Sequence, residues 1–433
     1  MIVMGGIIGS GIFINPYVVA QQVTSTGLIL AAWAVGGLIA LAGAFIYAEL
    51  SSQSFVSGGQ YVYLREAYHP ALAFIYGWAL LLVTQSGGMA AVAVTFAKYI
   101  CALSGAETNE TITTALSVAA LGVLTIINCL GVRAGSSTQN LFMVLKLLAI
   151  AALVVSGLML GNGQQRPEHS GLASQTSPWN SFIAFGAALI PVQFAYGGWQ
   201  TSCFVAGEIR QPQKNLPRGL LFGVLGVIAV YLSVNFVCVH ALGPQGLAQT
   251  RTPASAVMRL AMGENGAKII AVGIAISTLG FLSQSMLTAP RVYFAMAEDG
   301  LFFKSLARVN RARVPAFAIV FQGVVAMIVT CSGRYEQILN YVISVDVVFF
   351  ALTASCVFIF RKQRATANGS VFRVPGHPFT TLFFIGACCL LVFSTVYRYP
   401  HNSLIGLGIM LTGLPVYVIW KARAPADAQS RIS

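Results

Sequence analysis

Long apolar runs alternate with short polar breaks along almost the whole chain, and the runs are long enough for helices that cross a bilayer, which need about twenty such residues. The pattern places spans near 1–20, 27–50, 70–101, 111–130, 137–160, 181–206, 217–242, 267–297, 315–333, 336–360, 378–397 and 402–420. The expected fold is therefore an all-α polytopic membrane protein of about twelve helices in a single domain, 1–433. The third, sixth and eighth runs exceed the usual span, which predicts tilting or interruption.

Two runs carry a defect at mid-membrane. The first, "MIVMGGIIGSGIFINPYVV", places Gly9-Ser10-Gly11 near its centre, and the sixth, "ALIPVQFAYGGWQTSCFVAGEI", combines Pro191 with Tyr196-Gly197-Gly198-Trp199. Backbone N–H and C=O groups in hydrocarbon must be paired, so unwound chain persists there only inside protein or beside a polar cavity. Gly5-x-x-x-Gly9 alone could be a packing face of small residues. The matching break in span six favours a different reading, because broken first and sixth helices head two groups of five spans, 1–160 and 181–360, with extra helices at 378–420. That is the pattern of an inverted-repeat secondary transporter, with substrate held where the breaks meet.

Composition agrees: 57% of residues are hydrophobic and 9% charged, values no soluble core of this length requires. The net charge of +13 would suggest nucleic acid were it not for its distribution. Basic residues gather in alternate loops, among them Arg210, Lys214 and Arg218 after span six and Lys304, Arg308, Arg311 and Arg313 after span eight. The positive-inside rule then puts both termini in the cytoplasm and explains the charge by topology, with no nucleic-acid partner. The eight cysteines fall mostly within spans, which reads as small core residues rather than disulfides or metal ligands. No basic n-region precedes the first run, so it is not a cleavable signal, and its start at residue 1 suggests a chain shortened at its N-terminus.

These residues resemble the amino acid–polyamine–organocation superfamily, and within it the L-type amino acid transporter branch. "GGIIGSGIF" is similar to that family's unwound first helix, and "FAYGGWQTSCFVAGEIRQPQKNLPRG" to its sixth helix and following loop. "SGGQYVYLREAYHP" (57–70), "APRVYFAMAEDGLFF" (289–303) and "FRVPGHP" (372–378) resemble its cytoplasmic-loop signatures. The resemblance implies sodium-independent exchange of L-amino acids by alternating access in a bacterial plasma membrane, with no cofactor. Animal members of the branch are tied to a heavy chain through a cysteine in the loop after helix three. Here 102–110 reads "ALSGAETNE", with Cys101 only at the helix edge, so no disulfide-linked heavy chain is expected.

An amino acid carries a carboxylate and an ammonium, and a broken helix complements both. Free N–H groups and the positive dipole end at Ser10 and Gly11, beside Gly9, suit the carboxylate, and carbonyls freed at Ile7 and Ile8 and in span six suit the ammonium, with Ile7, Phe194 and Ala195 the expected ligands. By resemblance Phe194 is an aromatic lid; Trp199 and Gln200 are candidates for the side-chain pocket. Gly197 stands where cationic-preferring relatives can carry an acid, so neither break supplies a counter-charge, and neutral substrates are expected. A cationic amino acid or polyamine permease, with proton coupling, is the competing reading.

Charges within spans are costly and mark function by default. Lys146, about ten residues into its helix, lies about 15 Å deep, beyond easy snorkelling. In sodium-coupled members of this architecture a cation bridges the broken first helix and helix eight; Lys146 is expected to occupy that point, near Gly5, Gly6 and the hydroxyls of Ser277 and Thr278. Asp346 is comparably deep, and the residues alone leave open whether it pairs with a hydroxyl or a helix end or carries a proton. Glu49 and Arg291, near inner helix ends, read as structural. An intramembrane enzyme is disfavoured because the histidines map to loops or span edges and no H-E-x-x-H spacing occurs. A channel is disfavoured because no repeated filter loop appears.

Overall fold

The computed structural model describes residues 1–53, 56–104, 109–160, 178–332, 335–363 and 372–423, and they are helical almost throughout. The opening run forms two helices, α1 (Ile2–Ile7) and α2 (Gly11–Gln22), separated by extended chain at Ile8 (φ −75°, ψ 92°). Then come α3 (Thr26–Gln53), a short α4 (Gln60–Ala67), and α5 (Pro70–Ala79) joined through a π turn at Leu80–Thr84 to α6 (Gln85–Ser104). The over-long third run is thus interrupted, as its length implied. α7 (Glu110–Cys129) and α8 (Val132–Met159) complete the first five spans.

The second five begin with α9 (Pro178–Tyr196), which stops at Gly197 and Gly198 and continues as a tight 3₁₀ winding over Trp199–Glu208. Gly198 adopts φ +104°, a conformation that side-chain-bearing residues rarely reach, so the break is written into the residue type. α10 (Pro212–Gln249), α11 (Pro253–Thr288), α12 (Pro290–Glu298), α13 (Ala316–Ser332) and α14 (Tyr335–Gln363) follow. α15 (Phe379–Arg398), α16 (Pro400–Leu411) and α17 (Gly413–Arg423) close the chain.

Ten of these helical stretches are long and apolar enough to cross a membrane. The paired α1 and α2 and the 17-residue α13 bring the count to the twelve that the pattern of runs gave. Two details differ from it. Left-handed Gly243 and Gly263 bound extra helical segments, so residues 244–249 and 253–262, which lie outside the expected spans 217–242 and 267–297, are helical. The twelfth span is two helices meeting at Thr412, whose hydroxyl accepts a hydrogen bond from Trp78 Nε1 at 3.0 Å.

The spans sort into two packed groups. α3 and α10 run against each other and against α2 and α9, forming a bundle that contains both broken helices. α6, α7, α8, α11 and α13 form a second group, and α14 and α15 bridge it to the first. At the end where basic residues concentrate, the three loop signatures are clamped by ion pairs. Tyr61 donates to Asp299 at 2.6 Å, and Arg65 also pairs with Asp299. Glu49, 1% exposed, accepts from Arg361 at 2.7 and 2.6 Å and from the Val374 N–H at 2.6 Å. Buried Arg291 donates to Glu208 at 2.8 Å. Glu49 and Arg291 thus hold helix ends to loops.

The energetic contrast is testable. Stranding one partner of a buried pair costs about 3–5 kcal/mol, whereas an exposed pair such as Arg259–Glu264 contributes about 0–1 kcal/mol. Arg361→Leu, which strands the buried Glu49 carboxylate, should therefore lower the melting temperature in detergent by several degrees, and Glu264→Ala should leave it nearly unchanged; differential scanning fluorimetry of the two variants reads the difference.

Candidate functional site

The two breaks touch each other through positions that have no room for a side chain. A Cβ on Gly6 would lie 2.7 Å from the Gly198 carbonyl oxygen, and one on Gly11 would lie 2.8 Å from the Ala195 Cα. Glycine at these points lets two unwound backbones meet directly. Asn15 adds a staple, its Nδ2 donating to the Pro191 carbonyl at 2.6 Å. Tyr231, from α10, reaches both breaks: its hydroxyl lies 3.1 Å from the Ile7 carbonyl and 3.1 Å from that of Ala195.

Beside this junction lies a small cavity of about 80 Å³. Every residue expected to bind substrate lines it: Ile7, Gly9, Ser10 and Gly11 from the first break, and Phe194, Ala195, Gly197, Trp199 and Gln200 from the second. Ser10 is 1% exposed, makes no capping bond, and its Oγ has no hydrogen-bond partner. The Ser10 carbonyl receives the N–H groups of Phe13 and Ile14, so those of Gly11 and Ile12, at the head of α2, have no intrahelical acceptor. A buried hydroxyl and free N–H groups at a positive dipole end make a receptor for an anion.

The second break is more occupied. Gln200 Oε1 accepts from the Gly198 N–H at 2.9 Å, and Gly197 N–H bonds back to Gln193 and Phe194 carbonyls at 2.8 and 3.3 Å. Trp199 is packed edge-on to Tyr47 and stacked on Phe350, with centroids 4.7 and 5.4 Å away, so its ring forms a fixed wall.

Lys146 is buried beneath the first break, and its Nζ donates to the Ile8 carbonyl at 2.6 Å. This acceptor lies beyond Gly5 and Gly6, at the C-cap of α1, where the chain has left the helix and the carbonyl is free. The lysine passes α11 at Gly280, where a Cβ would sit 3.4 Å from Nζ. Of the two hydroxyls expected there, that of Thr278 is spent on its own helix, bonding the Ile274 and Ala275 carbonyls. That of Ser277 is buried without a partner. Neither residue lines the cavity, whereas Asp346 does, on a stripe of α14 with Val342 and Phe350.

Sequence reading missed Tyr231, Asn15, Phe281 and the π turn. The first two were visible as polar groups inside apolar runs. Phe281, against which Gly9 packs, had no signal, because an aromatic in a span is ordinarily core. Cys101, considered for a covalent partner, is buried; much of the adjoining loop, 105–108, lies outside the described residues.

The profile of the amino acid permease family matches residues 1–419. The chain is 32% identical to the serine/threonine exchanger SteT of Bacillus subtilis over 428 residues, 98% of this chain and 95% of that one. It is 32% identical to the b(0,+)-type amino acid transporter 1 of Oryctolagus cuniculus over 84% of this chain and 74% of the relative. With the large neutral amino acids transporter small subunit 2 of Homo sapiens it shares 31% identity over 96% and 78%.

Tyrosine hydroxyls in the site separate bonded from unbonded groups. A buried hydrogen bond contributes about 0.5–1.5 kcal/mol net. Tyr231→Phe, which frees the Ile7 and Ala195 carbonyls, should lower the melting temperature, whereas Tyr196→Phe removes a buried hydroxyl without a partner and should leave it equal or higher.

Proposed function

This chain belongs to the amino acid permease family, and on that premise we propose that it exchanges L-α-amino acids across a bacterial plasma membrane, without sodium, by alternating access. One observation carries the reading: two helix breaks face a single cavity, with unpaired N–H groups and the orphaned Ser10 hydroxyl on one side and backbone carbonyls on the other.

The substrate carboxylate binds at the head of α2, taken by the N–H groups of Gly11 and Ile12 and by Ser10 Oγ. The ammonium binds between the breaks, at the carbonyls of Ile7, Phe194 and Ala195, each of which retains a lone pair beside its present bonds. Tyr231 couples the two halves of this receptor, because its single hydroxyl hydrogen serves the Ile7 or the Ala195 carbonyl but not both at once. An incoming ammonium competes for the same acceptors and so reports its arrival to α10. Phe194, at the cavity wall, serves as the lid.

Lys146 replaces a transported cation. Its ammonium ties the first break, in the bundle, to α8 and α11, in the second helical group. A sodium ion there would meet a fixed positive charge, which is why coupling to sodium is unnecessary. With basic loops in the cytoplasm, both termini lie inside. The ion pairs of Arg65 with Asp299 and Arg291 with Glu208 then close the cytoplasmic end and must separate when substrate leaves inward.

Purified protein in liposomes tests this directly. Radiolabelled amino acid should enter vesicles preloaded with unlabelled amino acid equally well in sodium or choline buffer, and little should enter empty vesicles. Lys146→Ala removes a charged hydrogen bond worth about 1.5–3 kcal/mol. It should cut turnover by about tenfold or more while changing the half-saturating concentration less. Uphill uptake driven by a sodium gradient, or full turnover in the alanine variant, would contradict the assignment.

A further inference from the structure

The receptor built by the two breaks reads only the part that all amino acids share; the side chain must be read by another wall of the same cavity. That wall is formed by α14 and by the π turn at Leu80–Thr84, which pack together. It is apolar at Leu80, Val342 and Ile343, and it carries one ionisable group, Asp346. Beside it in the lining are Thr84, whose Oγ1 is buried and unbonded, and Gln85. No ion pair or hydrogen bond involves Asp346 among the described residues.

Resting on the amino acid exchange argued above, we propose that Asp346, with Thr84 and Gln85, is the side-chain subsite, and that it selects short substrates whose side chain ends in a hydrogen-bond donor, amine above hydroxyl above methyl. A carboxylate facing the cavity is solvated by water while the site is open. When the site closes on substrate that water leaves, and the charge must find a donor or bear its desolvation. An ammonium supplies a charge-assisted bond, a hydroxyl a weaker one, and a methyl none. Sites built around such a bond reject the isostere that lacks it far more strongly than apolar pockets reject a missing methylene. Neutral substrates are the expectation from the breaks, which carry no acid; α14 supplies one to the same cavity, and the proposal departs from that expectation.

The helix order adds a second argument. Counted from the break that heads each group of five spans, Lys146 and Asp346 both lie on the fifth span. Lys146 is already consumed, its ammonium bonded to the Ile8 carbonyl outside the cavity. Asp346 holds the corresponding place in the second group, faces the cavity and is unconsumed. A zwitterionic substrate leaves that carboxylate as it was, whereas a diamino acid neutralises it. The π turn opposite fits a binding role, since such insertions interrupt regular helix most often at functional sites.

Counterflow in liposomes with isosteric pairs tests the subsite. 2,4-Diaminobutyrate should be preferred to norvaline by about tenfold or more, and serine to 2-aminobutyrate by less. Asp346→Leu should abolish or reverse both preferences. Asp346→Asn, which keeps the shape, should lose the amine preference and retain the hydroxyl preference. Unchanged ratios in both variants overturn the subsite and leave amino acid exchange standing; absence of exchange of all four compounds by the wild type overturns the reading beneath it. If Asp346 instead carries a proton, Asp346→Asn will remove uptake driven by a pH gradient with the ratios intact, which also overturns the proposal.

Discussion

Contact between two unwound backbones governs this molecule. At membrane depth every peptide group needs a partner, and a regular helix supplies them all internally. Breaking α1 from α2 and α9 from the 3₁₀ winding frees groups that only protein or ligand can satisfy. Gly6 against Gly198 and Gly11 against Ala195 bring those groups within reach of one another, at distances that leave no space for a Cβ. One freed group, the Ile8 carbonyl, is consumed by Lys146, and Tyr231 shares its single hydroxyl hydrogen between the Ile7 and Ala195 carbonyls. What is left over, chiefly at Ser10, Gly11 and Ile12, is the receptor we propose for the substrate carboxylate.

The division of labour follows from that remainder. Backbone groups cannot distinguish one amino acid from another, but they recognise the carboxylate and ammonium in a fixed geometry with little reorganisation. Side-chain choice, on the subsite we propose, falls to α14 and the π turn, where a substitution changes preference without disturbing the receptor. Movement is delegated to the interface between the bundle of α2, α3, α9 and α10 and the group of α6, α7, α8, α11 and α13. Lys146 crosses that interface at the first break, outside the cavity, so the tie between the two groups sits next to the proposed substrate site.

Much of this was legible in the residues. Apolar run length located the spans, and glycine paired with glycine or proline at mid-run located both breaks, because hydrocarbon tolerates neither without compensation. The cavity-lining role of Ser10, Phe194 and Gln200 followed from their place at the breaks. The depth of Lys146 marked it as a candidate, and the glycine-rich break marked the Ile8 carbonyl as free; that the lysine takes this carbonyl, which the break alone offered to the substrate ammonium, is a matter of packing that the residue pattern does not encode. Thr278 looked like a ligand for the same reason it was not one, since a hydroxyl inside a helix most readily bonds its own preceding turn. The split of the last span at Thr412 and the helical segments past Gly243 and Gly263 were hidden because single glycines are common in membrane helices.

The claim on which the account stands is that substrate is held by its own backbone charges at the two breaks. Ligand-dependent thermal stabilisation of the purified protein tests it most directly, with norvaline compared against norvaline methyl ester, which lacks the carboxylate, and N-acetylnorvaline, which lacks the ammonium. The account predicts a concentration-dependent rise in melting temperature with norvaline and none with either derivative. Equal stabilisation by the ester or the N-acetyl compound would contradict it.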